Sequence, residues 1–185
     1  MLKVDSTRIS DVKIITIHRF EDDRGFFSEV YSKTGFAEAG VNCDFVQDNH
    51  SLSRLAGTVR GLHFQIHPVA QDKLIRVVHG RILDVAVDLR RSSATYGQHV
   101  AVELSNENLR QLFVPIGFAH GFCTLEPDTE VVYKVTNYYS REHDLGLAWN
   151  DPALQIAWPV GPGQAILSDK DCQHPRLANL QVHFD

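Results

Sequence analysis

The chain has 185 residues, 43% hydrophobic and 22% charged, which is enough apolar material for a packed core and carries no signature of disorder. A net charge of -5 and a pI near 6.0 argue against general nucleic-acid binding, so phosphate recognition has to be local, by a few placed arginines. Cys43, Cys123 and Cys172 are too scattered for a zinc site and too few for a disulfide framework, and no apolar run suits a signal peptide or a bilayer span; the expectation is one soluble cytosolic domain over residues 1–185, with no membrane or nucleic-acid partner.

In chain order, residues 12–17 alternate around β-branched side chains and predict a first strand. Asp22, Asp23 and Gly25 predict a turn, followed by a strand over 26–31 on which Phe27, Glu29 and Tyr31 share a face. Arg24 sits at that turn, either as an exposed charge or as a phosphate contact. Residues 32–40 predict a two-turn helix, with Ser32 as N-cap and Gly40 as its stop. Residues 45–51 read as a polar strand with Gln47, Asn49 and Ser51 on one face, a pattern that suits hydrogen bonding to a base or sugar and equally an exposed edge.

Strict alternation over 59–65 puts His63 and Gln65 on one face and Arg60, Leu62 and Phe64 on the other. Arg60 and His63 serve one pocket only if the strand bulges at Gly61. A long strand starts at Lys73. After Gly80, Leu83, Val85, Val87 and Leu89 form an apolar face opposed by Asp84 and Asp88, read as outward or wall-facing groups, with Asp84 kept as a candidate for orienting a histidine. Strands over 98–104 and 129–138 follow, the second with Val131, Tyr133 and Val135 on one side. The total is roughly ten short strands without repeats, which predicts an all-β jelly-roll barrel.

Two stretches carry chemistry. Gly57 is followed after five residues by His63-Phe64-Gln65, and Lys73 stands six residues ahead of Gly80; further on, Pro115, Gly117 and His120 make a Pro-x-Gly-x-x-His pattern. Both resemble the paired motifs of the cupin barrel, with glutamine in place of the second histidine and lysine in place of the glutamate. A lysine ammonium repels a divalent ion and offers no lone pair, so no metal and no cofactor are expected. What remains is a histidine able to take a proton and a cation able to hold an anion, which suits proton abstraction beside a carbonyl.

The motifs DDRGFFSEVYS, FVQDNHS, RGLHFQ, RILDVAVDLR, TYGQHVAVELS, VPIGFAHGF, YKVTNYYS, LAWNDP and LSDKD, in this order, resemble the dTDP-4-dehydrorhamnose 3,5-epimerases, cupin enzymes of L-rhamnose synthesis. The resemblance implies His63 as general base, Asp171 as the carboxylate that orients it, Tyr133 as the opposing acid and Lys73 as the group that holds the C4 oxygen. It implies Arg24, Phe27, Glu29, Gln47, Asn49, Arg60, His120, Asp144 and Lys170 as contacts to a dTDP-sugar, Asp144 standing where many members carry glutamate, and it implies a homodimer. The competing readings are a single-centre epimerase or ketoisomerase on the same scaffold, a non-catalytic nucleotide-sugar-binding cupin and a metal-dependent oxygenase.

Overall fold

Short alternating segments separated by turn residues pair almost throughout as antiparallel strands in the computed structural model, which describes residues 2–181 and 184–185. In chain order they are β1 (Lys3–Ser6), β2 (Lys13–Thr16), the hairpin β3 (Phe20–Asp22) and β4 (Gly25–Phe27), helix α1 (Lys33–Glu38), β5 (Gln47–Ser53), β6 (Val59–Gln65), β7 (Lys73–His79), β8 (Arg81–Asp88), β9 (His99–Ser105), β10 (Arg110–Val114), β11 (Phe118–Thr124), β12 (Thr129–Val135) and β13 (Asp144–Gly146). One sheet runs β1-β2-β10-β7-β12-β5 and faces a second, β13-β6-β11-β8-β9. No helix among the described residues is long and apolar enough to cross a membrane.

The inner faces of both sheets supply the main core: Ile75, Val77, Leu112 and Val131 from the first meet Ile82, Ala86, Val102, Phe118 and Phe122 from the second. The helix covers the outside of the first sheet through Phe36, packed with Ile15, Leu74 and Phe113. Its N-cap is Ser32, whose hydroxyl accepts the Gly35 N–H at 3.2 Å, and Gly40 follows its end at a positive φ of 80°, so the expected caps hold around a shorter helix.

The two faces of β8 separate as expected, but the outward placement of Asp84 and Asp88 fails. Val85, Val87 and Leu89 pack outward against Leu154, Leu180 and Phe184 of the C-terminal segment, which covers the second sheet from outside. Asp84 and Asp88 are therefore fully buried on the inner side of the strand. Asp88 accepts from Arg90, Ser93 and Thr95 and so closes the following loop. The strand expected over 26–31 ends at Phe27, because the chain then leaves its hairpin: Ser28 donates to the His18 carbonyl and the Val30 carbonyl accepts Gln111 Nε2, both at 2.6 Å.

Candidate active site

β6 carries the imidazole that organises the site. Its register against β11 pairs His63 with His120 and Arg60 with Phe122, three steps on β6 against two on β11, so β6 holds one extra residue. Gly61 absorbs it at φ 124°, and a Cβ there would lie 2.6 Å from the Gly121 Cα and 2.8 Å from the His120 carbonyl oxygen. The bulge turns Arg60 and His63 to the same side, where both line a cavity of about 420 Å3.

A second segment reaches His63 from far along the chain. Thr58 and Ile166 form a parallel bridge, with Val59 N–H donating to the Ile166 carbonyl at 2.9 Å and Ile166 N–H to the Gly57 carbonyl at 3.0 Å. That lacing sets the turn over 168–171 beside β6. There Ser168 accepts the Asp171 N–H at 3.2 Å and donates to Asp171 Oδ2 at 2.8 Å, leaving Oδ1 to hydrogen-bond with His63 Nε2. Nδ1 of His63 is then the ring nitrogen free for another proton. Burial pulls the Asp171 carboxyl upward, but the neighbouring His174 imidazole and the hydrogen bonds from His63 and Ser168 outweigh it and hold the group well below the usual carboxylate range.

The first sheet supplies the opposite wall. Lys73 on β7 and Tyr133 on β12 sit diagonally on neighbouring strands, Lys73 pairing with Val135 and Tyr133 with Ile75, and both line the cavity. Burial drives the Lys73 ammonium down to about 8 against the pull of Asp144 and Asp84, and among the described residues its one hydrogen bond goes to the His63 carbonyl oxygen at 3.2 Å. Burial also raises the Tyr133 phenol above its ordinary 10. His63 is lowered below its ordinary 6.5, burial being the largest cause and Asp171 opposing it. At neutral pH the cavity thus holds a neutral imidazole, a neutral phenol and a cation.

His120 lines the same cavity, and its Nε2 lies 2.7 Å from Asp84 Oδ1, so Asp84 orients a histidine from the inner side of β8. Gln47, Asn49 and Ser51 share one face of β5 as expected; Ser51 lines the cavity, while Gln47 Nε2 donates to Asn49 Oδ1 at 2.8 Å just beyond it. Asp144 and Lys170 pair with each other at 2.5 Å outside the cavity lining.

Arg24, Phe27 and Glu29 do not reach this cavity within the single chain. Arg24 is 89% exposed and bonded to Asp22, and Phe27 and Glu29 border a separate cavity of about 530 Å3 beside Leu2 and Phe20. That larger space has an imidazole, His18, in its lining but no phenol or ammonium, and only the smaller cavity brings all three together. Sequence reasoning passed over Ser168 and His174, although the spacing Ser168-x-x-Asp171-x-x-His174 was the available signal.

A ring nitrogen from each of His63 and His174 and an oxygen of Asp171 lie within 4.8 Å of one another. His63 and Asp171 are hydrogen-bonded directly to each other, and the Lys73 ammonium, which offers no lone pair, lines the same cavity. Gln65, in the place of a ligand in the cupin pattern, donates to the Val69 and Tyr138 carbonyls and accepts from the Ser140 N–H instead. The donor set is that of a hydrogen-bonded acid–base site and does not fit a metal.

Barrel and site together define a cupin in which a glutamine and a lysine stand at two ligand positions of the cupin pattern. The family model described as dTDP-4-dehydrorhamnose 3,5-epimerase matches residues 6–179. The chain is 52% identical to the dTDP-4-dehydrorhamnose 3,5-epimerase of Sinorhizobium fredii over 97% of its own length and 91% of the relative's. It is also similar to the solved Bacillus anthracis enzyme of that name with TDP and pyrophosphate bound (54% identity, TM-score 0.92, covering 95% of this chain and 99% of that one). A Legionella pneumophila dTDP-6-deoxy-D-glucose-3,5-epimerase in complex with dTDP-4-keto-L-rhamnose matches with 42% identity and a TM-score of 0.93, covering 98% and 95% of the two chains. The chain belongs to the dTDP-4-dehydrorhamnose 3,5-epimerase family.

Proposed function

We propose that this cavity inverts C3 and C5 of dTDP-4-dehydro-6-deoxy-D-glucose to give dTDP-4-dehydro-L-rhamnose. The observation that carries the proposal is an imidazole and a phenol supplied by different sheets to one cavity, with a buried ammonium on the strand beside the phenol. His63, its ring oriented by Asp171, takes the proton from a carbon next to the C4 ketone. The electron pair moves into the carbonyl, and Lys73 holds the oxygen as it gains charge. Tyr133 returns a proton from the other face, which inverts the centre. Each inversion leaves His63 protonated and Tyr133 as phenolate, and exchange with water restores both. C3 and C5 flank the same ketone, so one lysine serves both events. Arg60 and His120, in the cavity lining, and Gln47, Asn49, Asp144 and Lys170, outside it, supply the contacts for sugar and nucleotide in this reading.

The pH profile of kcat/KM reads the free protein's groups. The rate is expected to rise as His63 loses its proton, at a midpoint below 6.5, and to fall as Lys73 loses its own near pH 8, with Tyr133 still protonated throughout. Because the groups share one cavity, the two limbs belong to the set. A rate that keeps rising through pH 9 contradicts the role of Lys73, and proton NMR of the product checks that both centres invert.

A homodimer gives Arg24, Phe27 and Glu29 a place in this account. The hairpin β3–β4 displays Phe20, Phe26 and Phe27 at 56%, 63% and 69% exposure, an apolar surface that suits burial against a second copy. In that dimer the hairpin of one copy brings Arg24 toward the cavity of the other, where its forked donors suit a diphosphate. Sedimentation at twice the chain mass is expected, and a monomer at working concentration rules this arrangement out. Free thiols at Cys43, Cys123 and Cys172 accord with a reducing cytosol.

A further inference from the structure

His174 is the second imidazole at Asp171, and neither the acid–base chemistry nor the substrate contacts above use it. It follows Asp171 by three residues across the 3-10 turn Asp171–Gln173, a spacing that stacks one side chain over the other. Its Nε2 lies 3.4 Å from the Asp171 Oδ1 that also holds His63, and the two imidazole rings meet edge to face with centroids 5.5 Å apart. The side chain is 9% exposed, and Nε2 has no well-formed hydrogen bond to any described residue. A lone pair aimed at a carboxylate oxygen would be repelled, so the hydrogen sits on this nitrogen and points at Oδ1.

The ring's seat is built by β13. A Cβ on Gly146 would lie only 2.2–2.4 Å from three atoms of the His174 imidazole, so glycine at this position is what admits the ring against the strand, where His63 is the cross-strand neighbour of Gly146. We infer that His174 is a positioning residue of this site: it occupies part of the Asp171 oxygen that holds His63, and by sharing that acceptor it keeps the base neutral and ready to take a proton. This deepens the epimerase reading and rests on it for the role of His63. With His174 absent, Oδ1 accepts from His63 alone, water replaces a buried ring, and both changes favour imidazolium at position 63. Lys73, Lys170, Tyr133, Asp144 and the Asp84–His120 pair also surround this end of the barrel, and all stay unchanged in the variants below.

The test is titration of the imidazole nitrogens by NMR in histidine-labelled protein without substrate, the His63 signal being assigned by its loss in His63→Gln. In His174→Ala the His63 midpoint is expected to rise by about 0.5–1 pH unit, the effect of removing one donor from its carboxylate. Gly146→Ala, which deletes no polar atom, is expected to displace the ring and give the same rise, whereas His174→Gln, which keeps a donor, stays near wild type. The acid limb of kcat/KM moves with the midpoint. A His63 midpoint that stays put or falls in His174→Ala overturns the inference; if that variant does not fold, Gly146→Ala decides by the same criterion. The titration needs no turnover, so an inactive wild-type protein would count against the epimerase reading and leave this result to be judged on its own.

Discussion

His63→Ala is expected to fold normally and to lose about 10²–10⁴-fold in kcat, the usual worth of one positioned acid–base group. The fold survives because the side chain is 31% exposed at the cavity wall, while its neighbours Leu62 and Phe64 carry the packing of β6. Asp171 is not stranded either, since Ser168 still donates to Oδ2 and His174 still faces Oδ1. Thermal melting followed by circular dichroism, beside steady-state turnover, checks both halves. Turnover within tenfold of wild type would remove His63 from the role of base.

Lys73→Met is expected to lose about 10²–10³-fold in kcat while keeping or gaining stability. The two effects part company for a physical reason. The lysine is 8% exposed, and its ammonium has three donors against one bond among the described residues, to the His63 carbonyl, so two N–H groups are left for the cavity. That arrangement costs folding free energy and becomes useful when an oxygen beside it gains charge. Methionine keeps the apolar stem and drops the unpaired charge. Denaturant unfolding at unchanged m-value checks the stability, and turnover checks the activity. A variant that is active but unstable would make Lys73 a structural residue.

Much of this was legible in the sequence because period-2 alternation fixes which residues share a face. Gln47, Asn49 and Ser51 do share one, and Arg60 with His63 form an exception at the site, announced by Gly61 as a strand glycine with room for a bulge. What alternation cannot tell is which face is inside. Asp84 and Asp88 read as outward or wall-facing groups opposite an apolar face, yet the C-terminal segment covers that face from outside and sends both carboxylates inward. Asp84 then orients His120 and leaves Asp171 to His63. The short strands β1 and β13 escaped notice because three or four residues carry too little pattern to read. His174 escaped because its role depends on a 3-10 turn and on the bare backbone of Gly146, two elements that meet only after folding. Arg24, Phe27 and Glu29 were read from the family resemblance, and a single chain leaves them away from the cavity.

The central claim is proton transfer at two carbons beside one ketone, with His63 as the base. The most direct measurement is solvent deuterium incorporation into dTDP-4-dehydro-6-deoxy-D-glucose in heavy water with metal-stripped protein, followed by proton NMR. Deuterium is expected at both C3 and C5 with wild-type protein and at neither with His63→Ala. Exchange at neither centre with wild type, or exchange undiminished in His63→Ala, would contradict it.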